Sequence, residues 1–190
     1  MASLASFRSF ITERRPLVVA AILASVVVSF TAQAENGVGI EDQVKAGYLY
    51  NFARFVEWPS STGQSGPMTV GVVGDPGTAH AIWQSLHKQT LNGRGFIIRE
   101  VPTSDGTEGS QILFIPKSGV SDPREILLKV RGTPVLTVGE TSEFISAGGM
   151  IALLARNNKI HFAVNMPAIE KAGLKVSSQM LQYAQVVDRQ

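Results

Sequence analysis

Four short apolar runs, separated by segments with a helical pattern, constrain the fold of this chain most strongly. They are rich in Val, Ile and Leu and lie at Met68–Gly74, Phe96–Val101, Ile112–Ile115 and Pro134–Val138. A continuous apolar run of this kind is typical of a strand that is buried on both faces. Because helical segments alternate with them, the strands should run parallel through right-handed crossovers. The sequence therefore predicts an α/β three-layer sandwich, in which helices flank a mostly parallel central sheet.

Helices are predicted before, between and after these strands, at Ile40–Trp58, Thr78–His87, Pro123–Val130, Ser142–Ala147 and about Pro167–Val187. In the second of them, Trp83 is expected to face the core together with Ala79, Ile82 and Leu86. Near the C-terminal end, Met150–Leu154 and Lys159–Asn165 flank Asn157-Asn158. Asparagine tolerates the left-handed backbone angles of tight turns, so these two runs predict an antiparallel hairpin.

The first predicted helix carries the densest group of aromatic residues in the chain. Val44, Tyr48, Phe52 and Phe55 recur at spacings of three and four, which predicts one broad apolar face. Pro59 should end this helix and hold Trp58 at a fixed bend. The indole is then either a core anchor or an exposed docking point, and the sequence leaves both interpretations open.

Residues 1–34 have the pattern of a secretory signal peptide. Arg8, Arg14 and Arg15 precede an apolar run, Leu17–Phe30, and Ala32-Gln33-Ala34 is a small-x-small cleavage signal. The apolar run is shorter than the roughly 20 residues that a membrane span requires. We therefore expect a secreted single domain at residues 35–190, without direct membrane insertion after cleavage.

The charge of the expected mature domain argues against some classes of partner. The chain has 17 basic and 15 acidic residues, and three arginines and Glu13 lie before Ala34, which leaves 14 of each. A neutral domain gives no electrostatic reason to bind nucleic acid. The sequence contains no cysteine, so neither a disulfide nor a lipid-anchoring thiol is expected.

No motif predicts catalysis, a metal site or a cofactor. His80 and His87 are seven residues apart, which is too far for the i, i+4 pair that grips one metal ion, and each is expected to be a surface or capping residue. The segment Gly71-Val-Val-Gly-Asp-Pro-Gly77 lacks the dinucleotide-binding spacing, so we interpret it as a structural turn in which Asp75 is a cap. The pair Gly148-Gly149 is likewise interpreted as a sharp backbone turn into the hairpin rather than as part of a catalytic site.

One polar group of residues has the chemistry of a binding site. In the strand that begins at Lys159, side chains alternate, so Lys159 and His161 share one face. If that face lies near Arg54, the three basic groups could hold a small anion or an anionic side chain of a partner. A solvated hairpin face is the alternative interpretation.

The motifs along the chain resemble those of the YfiR family of periplasmic proteins. They are Tyr48-Leu-Tyr-Asn-Phe-Ala-Arg-Phe-Val-Glu-Trp-Pro59, Val70-Gly-Val-Val-Gly-Asp75, Ile112-Leu-Phe-Ile115, Leu136-Thr-Val-Gly139, Gly148-Gly-Met-Ile151, Asn158-Lys-Ile-His-Phe162 and Ala172-Gly-Leu-Lys-Val-Ser-Ser178. The resemblance spans nearly all of residues 35–190. These motifs are structural, so they specify the family better than the mechanism.

The resemblance implies a regulator rather than an enzyme. Such proteins bind the periplasmic sensor domain of an inner-membrane diguanylate cyclase and repress it, which lowers cyclic di-GMP and biofilm formation. The type member responds to redox state through cysteines, and a cysteine is common where this chain has Ser110, so thiol control is not expected here. Arg54, Glu57 and Trp58 are the expected contacts, since Trp and Arg often anchor interfaces.

Two further possibilities follow from the residues. A periplasmic sensor module that binds a small anion is the alternative function, and it requires a concave site near Arg54, Lys159 and His161. Unpaired sheet edges would also allow a homodimer.

Overall fold

The computed structural model describes residues 39–60, 66–102, 109–157 and 159–187. The predicted signal peptide at residues 1–34 and Asn158 of the predicted hairpin turn lie outside these ranges. In chain order the elements are α1 (Ile40–Phe55), β1 (Val56–Glu57), β2 (Met68–Val73), α2 (Pro76–Leu86), β3 (Thr90–Leu91), β4 (Arg94–Val101), β5 (Ile112–Ile115), α3 (Arg124–Lys129), β6 (Leu136–Gly139), α4 (Ser142–Ser146), β7 (Ile151–Arg156), β8 (Lys159–Asn165), α5 (Met166–Lys171), β9 (Lys175–Val176), α6 (Ser178–Leu181) and β10 (Ala184–Val187).

Within the described residues, eight strands form one sheet in the order β10-β8-β7-β6-β5-β2-β4-β3. Its central pairs, β7/β6, β6/β5, β5/β2 and β2/β4, are all parallel. The predicted hairpin is present, because β7 and β8 pair antiparallel from Ile151↔Val164 to Arg156↔Lys159. Asn157 takes the left-handed angle that the turn requires, with φ of 52°.

Helices cover both faces of this sheet, which confirms the predicted three-layer architecture. On one face, α1, α2, α5 and α6 pack around Leu49, Phe52, Ile82 and Ile169. On the other face, α3 and α4 form a smaller cluster that includes Phe144. The inner strands contribute side chains to both clusters, as expected of a sheet that is buried on both faces.

The first helix ends earlier than the sequence predicts. It stops at Phe55 rather than Trp58, because Val56 turns to extended geometry and pairs with Val176. Pro59 therefore follows a two-residue strand and does not itself end the helix. The predicted apolar face is also partly wrong, since Val44 is exposed while Lys45 is buried.

The long C-terminal helix predicted over Pro167–Val187 is wrong. The segment instead forms α5, β9, α6 and β10. Gly173, with φ of 72°, ends α5, and Leu174 then turns into the core. Strand β9 pairs antiparallel with β1 in a separate two-stranded ribbon, and β10 adds to the edge of the sheet parallel to β8.

Trp83 does not face the core as predicted. Ala79, Ile82 and Leu86 form the buried stripe of α2, whereas the indole of Trp83 is 45% exposed. It stacks between the imidazoles of His80 and His87, with ring centroids 5.8 and 4.4 Å away. Both histidines are exposed, as expected.

Candidate functional site

A surface cavity of about 520 Å3 brings together three of the predicted contact residues. We call it the α1–β1 cavity, because it opens beside the junction of these two elements. The β1–β9 ribbon and the β3–β4 hairpin complete its walls. It is lined by Ala53, Arg54, Val56, Glu57, Trp58, Pro59, Ser60, Met68, Leu91, Asn92, Arg94, Gln111, Gly173 and Lys175.

The cavity lies at the amino-terminal edge of the parallel strands. Met68 and Arg94 are the first residues of β2 and β4, and Gln111 immediately precedes β5. In most open α/β sheets, ligands bind at the opposite edge, beyond the carboxyl ends of the strands. The cavity is therefore formed by the β1–β9 ribbon and the β3–β4 hairpin rather than by the loops that follow the parallel strands.

Positive charge dominates the cavity. Arg54, Arg94 and Lys175 contribute three cationic side chains, whereas Glu57 contributes the single carboxylate among the lining residues that the structure describes. None of the three cations forms an ion pair within the described part of the chain. The cavity thus has an excess of two positive charges, which favours an anionic occupant.

The β1–β9 ribbon fixes two of these charges relative to each other. Glu57 and Lys175 are direct cross-strand partners, next to the pair Val56↔Val176. The backbone N–H of Ser177 also donates to Phe55 O at 2.9 Å. Opposite charges on directly opposed residues stabilise such a pair modestly, so the ribbon positions one carboxylate and one ammonium group in the lining of the cavity.

Arg54 and Phe55 separate two different surfaces at the end of α1. The Arg54 guanidinium lies 5.4 Å from the centroid of the Phe55 ring, within the range of a cation–π contact. Arg54 lines the α1–β1 cavity, whereas Phe55 lines a second cavity of about 690 Å3. These two consecutive side chains thus line different cavities.

Trp58 belongs to both the core and the cavity. Its side chain is half-buried and packs against the larger hydrophobic cluster. It also lines the α1–β1 cavity next to Pro59. A role as a core anchor and a role as a docking point, the two interpretations that the sequence leaves open, are therefore compatible for Trp58.

The structure does not bring Lys159 and His161 to Arg54. His161 lines the second cavity, together with Tyr48, Asn51, Phe52, Phe55, Ile160, Phe162, Gln179, Met180, Gln182 and Tyr183. Lys159 is exposed and lines neither cavity. Tyr48 fixes the helix above this part of β8, since its hydroxyl donates to Ile160 O at 2.7 Å.

Sequence reasoning missed Arg94 and Lys175 for different reasons. Asn92-Gly93 carries the signal for a two-residue hairpin turn, and both residues have positive φ, so β3 and the position of Arg94 were accessible from the sequence. Lys175 was hidden, because the predicted helix over Pro167–Val187 left no place for β9. A strand of two residues produces no recognisable alternation.

At the carboxyl edge of the parallel strands, several described polar side chains are hydrogen-bonded to one another. Asp75, which follows β2, accepts from Thr78 N at 2.9 Å and from Ser118 Oγ at 2.5 Å. Burial raises the pKa of Asp75, but these hydrogen bonds outweigh it and the net pKa is lowered. Asp75 is thus the cap of α2, as predicted, and the turn between β2 and α2 is formed by Gly74, with φ of 67°, and Asp75.

A buried ion pair occupies the same edge. Lys45 of α1 lies 2.7 Å from Glu140, which directly follows β6, and Glu140 also accepts from Lys117 N. Burial lowers the pKa of Lys45, but hydrogen bonds to Glu140 and Glu41 outweigh it, so the pKa is raised. Lys45, Asp75 and Glu140 are therefore already paired with other groups at the carboxyl edge.

No group of three or more His, Asp or Glu side chains is placed to hold a metal ion in the part of the chain that the structure describes. No described helix is both long enough and apolar enough to cross a bilayer.

The YfiR/HmsC-like family model matches residues 42–185, which include every element that lines the α1–β1 cavity. The chain belongs to this family. YfiR/HmsC-like proteins are in general periplasmic regulators of diguanylate cyclases rather than catalysts. The predicted family is therefore confirmed, while the contacts made by Arg54, Glu57 and Trp58 stay predictions.

A crystal structure of a conserved domain protein from Vibrio cholerae O1 biovar El Tor is similar to this YfiR/HmsC-like chain, with a TM-score of 0.49 and 13% identity. The similarity covers 63% of this chain and 54% of that one, so it spans little more than half of the Vibrio protein. No curated protein sequence is significantly similar to this chain.

Proposed function

We propose that the protein is exported as a single domain of residues 35–190, binds the periplasmic sensor domain of an inner-membrane diguanylate cyclase, and represses the cyclase. Membership of the YfiR/HmsC-like family supports regulation of cyclic di-GMP signalling. The observation that carries the docking surface is the convergence of Arg54, Glu57 and Trp58 on one cavity.

The chemistry of this surface fits a protein interface. Tryptophan and arginine are the side chains most often found to dominate binding energy, particularly when an apolar body lies beside a charge. Trp58 supplies a half-buried ring, and Arg54 and Glu57, which both precede it in the sequence, supply charges of opposite sign in the same cavity. A partner with complementary charges would be oriented as well as bound.

Repression requires only that the protein binds the inactive state of the sensor domain more tightly than the active state. A ligand shifts such an equilibrium by no more than its difference in affinity for the two states. A rigid docking surface suits this role, and the Arg54–Trp58 segment is held by the ribbon pair Val56↔Val176 and by the bond from Ser177 N to Phe55 O.

The test is a binding measurement between the purified protein and the periplasmic domain of the cyclase. Trp58→Ala and Arg54→Ala should each weaken binding by tenfold or more, as expected of residues that dominate an interface. The matched controls are Trp83→Ala and Arg156→Ala, which remove an exposed tryptophan and an exposed arginine that do not line the cavity. Equal effects of the test and control variants would refute the docking surface.

Lys159 and His161 stay predicted contacts on a separate surface. The double variant Lys159→Ala/His161→Ala tests them in the same assay. Weaker binding would extend the docking surface to the β7–β8 hairpin, and unchanged binding would confine it to the α1–β1 cavity.

A further inference from the structure

We propose that the α1–β1 cavity is a binding site for a small organic anion with two negative charges, either a phosphate monoester or a dicarboxylate. This inference goes beyond regulation of a cyclase, because it concerns a ligand rather than a protein partner. It also differs from the anion site expected from the sequence, since Arg94 and Lys175 replace Lys159 and His161.

The charge balance of the cavity favours an anionic ligand. Arg54, Arg94 and Lys175 line it with a single carboxylate, that of Glu57, among the described residues. These three cations come from separate segments of the chain, the end of α1 and the first residues of β4 and β9. A solvated helix face would not gather charges from three elements at one concave site. Like charges held together in this way are stabilised when an anion lies between them.

The cationic side chains that line the cavity also retain the capacity to form hydrogen bonds with a ligand. Arg94 donates through Nε to Gly66 O at 2.5 Å, which fixes the guanidinium and, among the residues that the structure describes, leaves its two terminal amino groups for another acceptor. An anchored guanidinium loses less conformational entropy when it binds an oxyanion. Arginine can meet two oxygens of a phosphate or carboxylate at once, while lysine adds a point charge.

The size and walls of the cavity favour an organic anion over a bare ion. Its volume of about 520 Å3 lies within the range of small-molecule sites. Polar neutral groups, namely Ser60, Asn92 and Gln111, line part of it, and Trp58, Leu91 and Met68 form an apolar part. Gln111 is itself held in place, since its Oε1 accepts from Thr69 N at 2.7 Å.

Isothermal titration of the purified protein with inorganic phosphate and, separately, with succinate in a chloride-poor buffer at pH 7.5 tests the site. Arg54→Gln and Lys175→Gln each remove one charge, so each should reduce the affinity about tenfold, the effect of losing one charge-assisted hydrogen bond. Arg156→Gln removes an exposed cation from the β7–β8 hairpin and should leave the affinity unchanged.

A fluorescence measurement locates the anion independently of any change in stability. In a Trp83→Phe background, Trp58 is the only remaining tryptophan, since the chain contains two. Anion binding should then change the Trp58 emission with the same midpoint as the titration heat. Unchanged circular dichroism of the glutamine variants would show that they retain the fold.

Each outcome decides the proposal. Binding of inorganic phosphate alone assigns recognition of a phosphoryl group, binding of succinate alone assigns a dicarboxylate, and binding of both supports the shared dianion chemistry. The proposal is overturned if neither anion binds at about 10 mM or below, a concentration at which even weak sites fill, or if Arg54→Gln and Lys175→Gln bind like the parent. The titration contains no cyclase, so its result does not depend on whether the protein represses a cyclase.

Discussion

The Nζ of Lys45 lies 2.7 Å from Oε1 of Glu140, and their side chains are only 10% and 7% exposed. This pair joins the amino-terminal part of α1, which packs on one face of the sheet, to the carboxyl end of β6 within the sheet. The opposite end of α1 carries Arg54 and leads into the β1–β9 ribbon. The ion pair therefore helps to fix the helix on which the proposed docking surface depends.

Removing only one partner of this pair should be strongly destabilising. Lys45→Met leaves Glu140 buried without its closest cation, and we expect the free energy of unfolding to fall by about 3 kcal/mol. The double variant Lys45→Met/Glu140→Gln removes both charges and should recover much of that loss. Urea denaturation measures both values. Equal destabilisation in the single and double variants would show that the two charges are not coupled.

Asp75→Ala should reduce stability in a pH-dependent manner. At pH 7 the loss of the α2 cap should cost about 1 kcal/mol. The pKa of Asp75 is lowered in the folded protein, so its contribution is complete above its unfolded pKa of about 4 and is lost as the pH falls through the folded value. The difference between Asp75→Ala and the parent should therefore shrink as the pH falls from about 5 to below the folded pKa of Asp75.

Glu100→Ala is the matched control for that experiment, because Glu100 is an exposed carboxylate on β4. Denaturant titrations at several pH values compare the variants. A difference for Asp75→Ala that stays constant down to the lowest pH would contradict the assigned role of the carboxylate.

Ser110→Ala should stabilise the protein. The Ser110 Oγ is buried and has no hydrogen-bond partner among the described residues, and an unsatisfied buried hydroxyl costs roughly 1 kcal/mol or more. Thr137→Val is the matched comparison, since the equally buried Thr137 Oγ1 accepts from Met150 N at 3.1 Å. Thermal unfolding should show opposite shifts for the two variants. A lower melting temperature for Ser110→Ala would contradict the assignment.

Gly149→Ala should be among the most destabilising glycine substitutions. An added Cβ would overlap the ring of Phe144, which is fully buried beneath the start of β7. Gly47→Ala is the contrasting variant, because Gly47 lies inside α1 and a Cβ there meets no atom within 4 Å. Helix propensity predicts that Gly47→Ala stabilises the protein by about 0.5–1 kcal/mol. Similar unfolding midpoints for both variants would contradict the packing described here.

The sequence predicts the central fold well, because its strands are buried on both faces. Runs such as Ile112–Ile115 are apolar at every position, and this composition leaves little alternative to a strand in a covered parallel sheet. The β7–β8 hairpin was predictable from Asn157, whose left-handed geometry matches the residue type. Asp75 was likewise a recognisable cap.

The cavity was less predictable than the sheet, because long-range pairing forms it. Val56 is extended only because Val176 pairs with it, and neither strand is long enough to show a period of two. The apolar residues between Ala168 and Ala184 fit a helical spacing, but Gly173 and the burial of Leu174 divide them among four elements. Local patterns therefore identified Arg54 and Trp58 but not Lys175.

Cyclic di-GMP synthesis by the membrane-embedded cyclase, measured with and without the purified protein, tests the central claim most directly. The account predicts that the parent protein and the Trp83→Ala control lower the rate of synthesis in a saturable manner. It predicts that Trp58→Ala and Arg54→Ala, if folded by circular dichroism, need at least about tenfold higher concentration for the same effect. Synthesis that is unaffected by the parent protein at any concentration would contradict the account.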